Sequence, residues 1–223
     1  MNLFQPALST FAGDIDNLVI MVTAIVGFWY FLTNGMFFYL LWRYRAQEGV
    51  KALYVTGHEP ELLRWITYPH YAIIFMDLFV IAGAVSVWYD VKQNLPEPVE
   101  VVRVVGQQWA WTFQHPGADG ILDTADDIKT VDHLHVPVNK VVHAKLESRD
   151  VLHSFSIPVF RLKQDIVPGR VITAWFEATM PGVYDLQCAE MCGIGHGIMA
   201  ARIHVESDED HAAWIKANTP KGL

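Results

Sequence analysis

Hydrophobic residues are concentrated in two long runs near the N-terminus, at residues 18–42 and 66–88. Each run is long enough to cross the hydrocarbon core of a bilayer, for which a helix needs roughly 20 residues. Neither run carries the polar stripe of an amphipathic helix that packs on the core of a soluble protein. The pattern therefore predicts a transmembrane helical hairpin, rather than two buried core helices, over residues 18–90.

From about residue 91 the pattern changes to short apolar runs separated by Pro, Gly and Asp, which is typical of strands joined by turns. Eight strands are predicted, at 99–105, 109–114, 133–136, 141–146, 154–157, 172–178, 182–187 and 200–205. Strands of this number and spacing predict an all-β Greek-key barrel or sandwich. The sequence Ser207-Asp-Glu-Asp210 is a helix-capping signal and predicts a short helix through about residue 217.

Basic residues are distributed unevenly around the two apolar runs. Residues 1–17 contain no Lys or Arg, whereas the connector 43–64 contains four basic residues. The positive-inside rule therefore predicts a cytoplasmic connector and outward-facing termini. The first run is too long for a cleavable signal peptide and lacks its basic leader. The predicted organisation is an N-terminal outer segment, a helical hairpin, a β domain and a C-terminal helix with tail, at 1–17, 18–90, 91–206 and 207–223.

The chain has 223 residues, is 52% hydrophobic and contains two cysteines. Both cysteines lie in the sequence Cys188-Ala-Glu-Met-Cys192-Gly-Ile-Gly-His196-Gly-Ile-Met199. Thiolate, imidazole and thioether are ligands that soft, electron-transferring copper prefers. The glycines would let the backbone wrap closely around an ion. The motif predicts a metal-binding loop, with His153 as a further candidate ligand from outside it.

Two other interpretations of this loop remain open on the residues alone. A Cys-x-x-x-Cys disulfide is common in an oxidising compartment. Tetrahedral zinc accepts the same two thiolates together with two imidazoles. Met199, however, has no use in either arrangement.

Five separated motifs together resemble one known family, subunit II of the haem–copper cytochrome c oxidases. They are Trp65-Ile-Thr-Tyr-Pro69, Gly106-Gln-Gln-Trp-Ala-Trp-Thr-Phe113, Asp150-Val-Leu-His-Ser154, Arg161-Leu-Lys-Gln-Asp-Ile-Val-Pro-Gly-Arg170 and the cysteine loop itself. The resemblance implies a cupredoxin fold for the β domain and a dinuclear copper centre, CuA, in the loop. It also implies an electron-input subunit of an oxidoreductase, in which cytochrome c delivers electrons and another subunit reduces oxygen to water.

The resemblance further implies a role for each candidate ligand. The expected copper ligands are two bridging thiolates, one imidazole on each copper and two weak axial ligands, namely Cys188, Cys192, His153, His196, Met199 and the Glu190 carbonyl. The Glu190 carboxylate is expected to bind Mg²⁺ or Mn²⁺ shared with the catalytic subunit. One carboxylate is too few for an octahedral ion, so a partner must supply the remaining oxygens.

Trp109 and Trp111 alternate along one predicted strand and are therefore expected to share a face, where packing is the ordinary role. The resemblance implies instead that Trp109 is the residue through which electrons arrive. Asp150 is the candidate docking acid for a cytochrome c, whether mobile or a tethered domain. From residue 91 onward seventeen acidic and twelve basic side chains leave a modest negative excess, which would steer a basic donor or serve only solubility.

The apolar runs contain one histidine, His70, so this chain is not expected to bind haems, which are assigned to partner subunits. It also lacks a Cys-x-x-Cys-His motif, which argues against a fused cytochrome c domain. The expected partners are oxidase subunit I, further membrane subunits and the donor, without nucleic acid. The expected location is a bacterial plasma membrane or a mitochondrial inner membrane. A copper-bearing nitric oxide reductase subunit and a membrane-anchored copper-delivery protein are the alternatives.

Three features outside these motifs have two interpretations each. Asp77 lies within the second apolar run, where a carboxyl group is costly and is expected to face protein or water. The acidic sequence 119–127 resembles a calcium loop but lacks the EF-hand spacing, which favours a polar turn. His133 and His135 share a strand face. One interpretation is that they bind a metal, and the other is that they pack or form hydrogen bonds, as isolated histidine pairs usually do.

Overall fold

Two long apolar helices precede an all-β domain in the computed structural model, which describes residues 5–52 and 54–220. This architecture confirms the predicted fold class. Among the described residues, those from 16 to 89 form one compact unit, and those before and after this range form the other. Both helices are long and apolar enough to cross a membrane.

The two helices begin earlier than the apolar runs that predicted them. Helix α1 spans Ala12–Arg43 and helix α2 spans Pro60–Trp88. Pro60 occupies the first turn of α2, where its missing N–H is not needed. The Glu59 carboxylate accepts hydrogen bonds from the backbone N–H groups of Thr56 and Gly57, at 2.9 and 3.0 Å. These contacts lie at the N-terminal end of α2, which begins six residues before its hydrophobic run.

The β domain contains ten strands within the described residues, arranged in two five-stranded sheets. They are β1 (Glu100–Gln107), β2 (Ala110–His115), β3 (Ile128–Val131), β4 (His133–Pro137), β5 (Val141–Ser148), β6 (His153–Ile157), β7 (Leu162–Ile166), β8 (Ile172–Glu177), β9 (Gly182–Cys188) and β10 (Ala200–Glu206). One sheet has the order β3-β2-β1-β5-β8 and the other β4-β10-β9-β6-β7. The β1–β5 and β4–β10 pairs are parallel, and the other pairs are antiparallel.

Strands β3 and β7 are absent from the sequence prediction. In β7 the residues between Leu162 and Ile166 are Lys, Gln and Asp, and the two end residues alone are buried. Such a short, polar run carries too little alternation to stand out. The strand is formed instead by backbone pairing with β6. The first residue of β6, His153, lies opposite Ile166 of β7.

The core lies between the two sheets and is lined by alternate residues of each strand. Its fully buried members include Trp111 and Phe113 from one sheet and Phe155, Leu186 and Ile203 from the other. Trp111 lies edge-on to Phe155, with ring centroids 5.9 Å apart. This packing provides the rigid floor beneath the cysteine loop.

Residues 8–12, which we call the N-terminal strap, pack on the β domain. The Leu8 N–H donates to the Val159 carbonyl at 2.8 Å, and the Thr179 N–H donates to the Leu8 carbonyl at 3.0 Å. The Phe11 ring is buried edge-on against Trp175, with centroids 5.1 Å apart. The predicted outer segment therefore contains residues that belong to the β-domain unit.

The C-terminal helix α3 spans Asp208–Asn218. The Ser207 hydroxyl caps it by accepting a hydrogen bond from the Asp210 N–H at 3.1 Å. Its first turn carries three acidic residues, which complement the positive end of the helix dipole.

Candidate metal centre

The cysteine loop is the hairpin connection between β9 and β10. The Cys188 N–H donates to the Met199 carbonyl at 3.0 Å, and the Ala189 N–H donates to the Ser154 carbonyl at 3.0 Å. These bonds close the base of the loop and attach it to β6. They bring side chains from both ends of the loop together with His153.

The two cysteines are not joined in a disulfide. Their sulphur atoms are 3.8 Å apart, whereas a disulfide bond is about 2.05 Å long. Two further donors approach them. The Met199 sulphur lies 3.8 Å from the Cys192 sulphur, and the Glu190 carbonyl oxygen lies 3.2 Å from the Cys188 sulphur.

Each cysteine has its own imidazole. The His153 Nδ1 lies 3.9 Å from the Cys188 sulphur, and the His196 Nδ1 lies 3.6 Å from the Cys192 sulphur. His153 is fully buried at the start of β6, and His196 is half-buried in a short turn of the loop. The donor atoms of His153, Cys188 and Cys192 lie within 4.8 Å of one another, close enough to hold a metal ion.

The donor set suits soft metal chemistry better than a structural zinc site. Tetrahedral zinc is satisfied by four ligands, whereas here two thiols, two imidazoles, a thioether and a carbonyl converge. A thioether is not among the usual ligands of zinc, whereas a weakly bound Met is typical of copper electron-transfer sites. All six predicted ligand groups are therefore brought together, and the residues fit copper.

Burial, followed by the neighbouring Cys188, raises the pKa of the Cys192 thiol to about 11. Thiolates, not thiols, bind metals. Two thiolates at this separation require a compensating positive charge, so metal binding and proton release are coupled at this loop.

Asp150 holds the buried imidazole in place. Its carboxylate accepts hydrogen bonds from His153 Nε2 at 2.8 Å, from the Gln108 N–H at 2.7 Å and from the Val151 N–H at 2.6 Å. Burial raises the pKa of Asp150, but these hydrogen bonds outweigh it and leave the pKa below its usual value. With Nε2 held by the carboxylate, Nδ1 is the nitrogen that faces the sulphur.

Sequence reasoning found no orienting partner for His153 and treated Asp150 only as a docking acid. The available signal was the spacing of three residues between the two side chains, across a turn before β6. The docking role itself stays a prediction.

Trp109 does not lie on β2, so the prediction that it shares a strand face with Trp111 is wrong. β2 begins at Ala110, and Trp109 belongs to the turn before it. Trp111 is fully buried, with its ring centroid 6.2 Å from that of His153, whereas Trp109 is 38% exposed. The Trp109 indole N–H donates to the Cys192 carbonyl at 3.2 Å.

Two glycines of the loop make room for this indole. A Cβ atom on Gly195 would lie 2.4 Å from Trp109 Cδ2. One on Gly193, whose φ is +118°, would lie 3.2 Å from Trp109 Cζ2. Gly193 and Gly195 therefore allow the Trp109 ring to lie close to the loop backbone. The sequence predicted a different role, in which the loop glycines let the backbone wrap around an ion.

The loop also presents apolar side chains that sequence reasoning did not single out. Met191, Ile194 and Ile198 are 72%, 96% and 82% exposed. Ile194 lies between the two glycines that contact Trp109. The signal available in the sequence was the presence of large apolar residues next to cysteines and glycines in a short loop.

Comparisons with known proteins agree with this geometry. Residues 100–207 match the family model described as cytochrome c oxidase subunit II, periplasmic domain. The chain is 31% identical to the alternative cytochrome c oxidase subunit 2 of Bradyrhizobium diazoefficiens, over 96% of this chain and 85% of that protein. It is 28% identical to cytochrome c oxidase subunit 2 of Cereibacter sphaeroides, over 96% of this chain and 78% of that protein.

Among solved structures, the periplasmic domain of subunit II of the Bradyrhizobium japonicum cytochrome oxidase is similar, with a TM-score of 0.51 and 28% identity. The match covers 56% of this chain and 96% of that domain. Copper is the metal expected in a domain of this family. The chain belongs to the cytochrome c oxidase subunit II family, whose members are subunits of oxidoreductases.

Proposed function

We propose that this chain is the electron-input subunit of a respiratory haem–copper oxidase. It takes electrons from a cytochrome c at a dinuclear copper centre and passes them to a catalytic subunit that reduces oxygen to water. The observation that carries the proposal is the convergence of four further donor groups on two unlinked cysteine sulphur atoms 3.8 Å apart.

The copper would be held by two thiolates, two imidazoles, a thioether and a backbone carbonyl: Cys188, Cys192, His153, His196, Met199 and the Glu190 carbonyl. A bound copper pair would accept and release one electron shared between two ions. The chain supplies a rigid frame for it, because the base of the loop is hydrogen-bonded to β6 and Asp150 fixes the His153 ring.

Trp109 is the proposed electron-input residue. Its ring is partly open to solvent, while its N–H bonds to the carbonyl of Cys192. This contact provides a short route from the surface to a proposed ligand. The exposed apolar side chains of the loop offer a docking surface for the donor, and Asp150, whose side chain is 30% exposed, adds negative charge beside it.

The remaining assignments concern partners and location. The Glu190 carboxylate is proposed to bind Mg²⁺ or Mn²⁺ together with the catalytic subunit, which also carries the haems. We place the chain in a respiratory membrane with two spans, a periplasmic β domain and a cytoplasmic connector at 43–64. The matching family domain is a periplasmic domain, which supports this orientation.

The proposal is tested by copper content and electron paramagnetic resonance of the full-length chain, purified in detergent and loaded with copper. Two coppers per chain and hyperfine splitting from two equivalent nuclei are expected. A single copper, or zinc held more tightly than copper, would contradict the dinuclear centre. Replacing Trp109 by Phe should leave the copper signal intact and slow electron transfer from reduced cytochrome c, which separates electron input from metal binding.

A further inference from the structure

A second group of imidazoles lies on the outer face of the sheet formed by β4 and β10. These strands are parallel, with His204 opposite His135 and Arg202 opposite His133. Their alternate residues, including Leu134 and Ile203, are fully buried in the core. His133, His135 and His204 therefore all point away from the core.

Two of these imidazoles meet nitrogen to nitrogen. His133 Nδ1 lies 2.9 Å from His204 Nε2, with the ring planes tilted by 34°. At least one of the two nitrogens must lack a proton, because two N–H groups cannot face each other at this distance. The pair is thus either an N–H···N hydrogen bond or a ready pair of metal ligands.

The separation favours particular metals. With metal–nitrogen bonds of about 2.0–2.1 Å, nitrogens 2.9 Å apart subtend roughly a right angle at a shared ion. Right angles between imidazole nitrogens belong to the tetragonal geometry of Cu²⁺ and Ni²⁺, whereas zinc prefers tetrahedral angles. Water would complete the coordination, because His133 is exposed.

The ring of His204 is held in a fixed plane by a stack of aromatic rings. It lies parallel to His135, with centroids 4.3 Å apart and planes within 3°. His135 in turn stacks on Trp214 of α3 at 4.1 Å and bonds through Nδ1 to the Glu206 carboxylate at 2.7 Å. A ligand that is already ordered loses little conformational entropy on binding.

The charges around the pair are compatible with a cation. The neighbouring Arg202 guanidinium is engaged by the Asp185 carboxylate of β9. Glu206 adds negative charge behind the stack.

We propose that His133 and His204 form a surface site for a divalent late transition-metal ion, with Cu²⁺ the tightest-binding of the series. His135 and Glu206 position the His204 ring and are not ligands. The stacked His135 ring lies in a plane parallel to that of His204, and the two Glu206 oxygens bond to His135 and His211. The site is built from residues outside the cysteine loop and does not depend on the proposed electron-input function.

The test uses the full-length chain with its cysteine loop already loaded with copper, titrated with further Cu²⁺. We expect one additional isolated Cu²⁺ signal per chain in electron paramagnetic resonance, with splitting from two imidazole nitrogens. His133→Gln and His204→Gln should each weaken this binding by on the order of tenfold or more. His135→Gln should weaken it less and keep the two-nitrogen pattern.

His58→Gln is the matched control, because His58 is an exposed histidine of the connector. It should leave the additional signal unchanged. Thermal unfolding of each variant checks that the fold is retained, and the nitrogen splitting of the unmodified chain tests the site without any substitution. Absence of the two-nitrogen signal, or equal binding by the unmodified chain and the His133→Gln and His204→Gln variants, would show that the pair is only a hydrogen bond.

Discussion

At the candidate metal centre, His153 of β6 turns one ring nitrogen toward Cys188 and the other toward Asp150, whereas on α3 both ring nitrogens of His211 face carboxylates. His211 bonds to Glu206 at 3.1 Å and to Glu100 at 2.9 Å. We call His211, Glu100 and Glu206 the histidine–glutamate cluster. It joins the helix to the first residue of β1 and the last residue of β10.

The two histidines differ in whether a ring nitrogen remains available to bind a metal. Two carboxylates favour the charged imidazolium, which holds α3 to the barrel but cannot bind a metal. One carboxylate on the far nitrogen fixes the His153 ring and leaves the near nitrogen facing sulphur. The same side chain is thus a structural cation in one region and a proposed ligand in the other, according to the partner of its second nitrogen.

The largest expected effect comes from removing a sulphur from the loop. Cys192→Ser should abolish the dinuclear centre, because a serine hydroxyl is a poor ligand for soft copper and cannot take over the bridging role. Copper content and the resonance spectrum of the full-length chain measure this loss. Met191→Leu, an exposed change in the same loop, is the control. Two coppers retained in the serine variant would refute the ligand assignment.

The second effect concerns the carboxylate that distinguishes His153 from His211. Asp150→Asn keeps an acceptor oxygen but loses the charge, and it should weaken copper binding by about 10- to 100-fold. Competition with a copper chelator measures the change. Asp208→Asn removes an exposed acid that is paired with Lys140 and should leave copper binding unchanged. If Asp150→Asn changes only the dependence of donor binding on salt concentration, the Asp150 carboxylate serves donor docking and not the orientation of His153.

The third effect tests the contact between the loop and Trp109. Gly195→Ala should displace the indole and destabilise the loop by about 1–3 kcal/mol, because the new Cβ would overlap the ring. Tryptophan fluorescence and the rate of copper loss report the change. Gly197→Ala is a matched control, since nothing lies within 4 Å of its added Cβ. If the two variants show the same fluorescence and the same rate of copper loss, the loop accommodates a Cβ at position 195 without being destabilised.

The smallest effect is the pH dependence of the histidine–glutamate cluster. Burial lowers the pKa of His211, but hydrogen bonds and charge from Glu100 and Glu206 outweigh it and raise the pKa above 6.5. Burial raises the pKa of Glu100, but His115 and His211 outweigh it and lower the pKa below 4.5. The histidine therefore stabilises the fold fully below pH 6.5 and loses this effect as the pH rises through its folded pKa. The Glu100 contribution is present above pH 4.5 and is lost on acidification through its folded pKa.

Hydrogen exchange of the α3 amides measures this dependence. Protection should be greatest between about pH 4.5 and 6.5 and should fall toward alkaline pH once intrinsic exchange rates are corrected. His211→Gln should lower protection by about 1–3 kcal/mol at pH 6 and remove the alkaline decline. A decline of the same size in the glutamine variant would assign the pH dependence to other groups.

The sequence predicted what depends on local pattern: the two apolar helices, most strands and the cysteine loop with its ligand types. Apart from the predicted contact of His153 with the cysteine loop, contacts between distant segments escaped prediction. Glu100, Glu206 and His211 carry no shared local motif and meet only once the barrel closes. Trp109 was misplaced because the alternation of its neighbours gives no sign that the strand begins one residue later.

The N-terminal strap has a consequence for the order of assembly. The Ser9 hydroxyl donates a hydrogen bond to the Phe160 carbonyl, which lies 151 residues later in the chain. Ser9 precedes helix α1, whereas Phe160 follows helix α2. The β domain is complete only after both helices have been synthesised and the two flanking segments have met on one side of the membrane. A soluble fragment starting near residue 91 would lack this strap and leave Trp175 without its Phe11 partner.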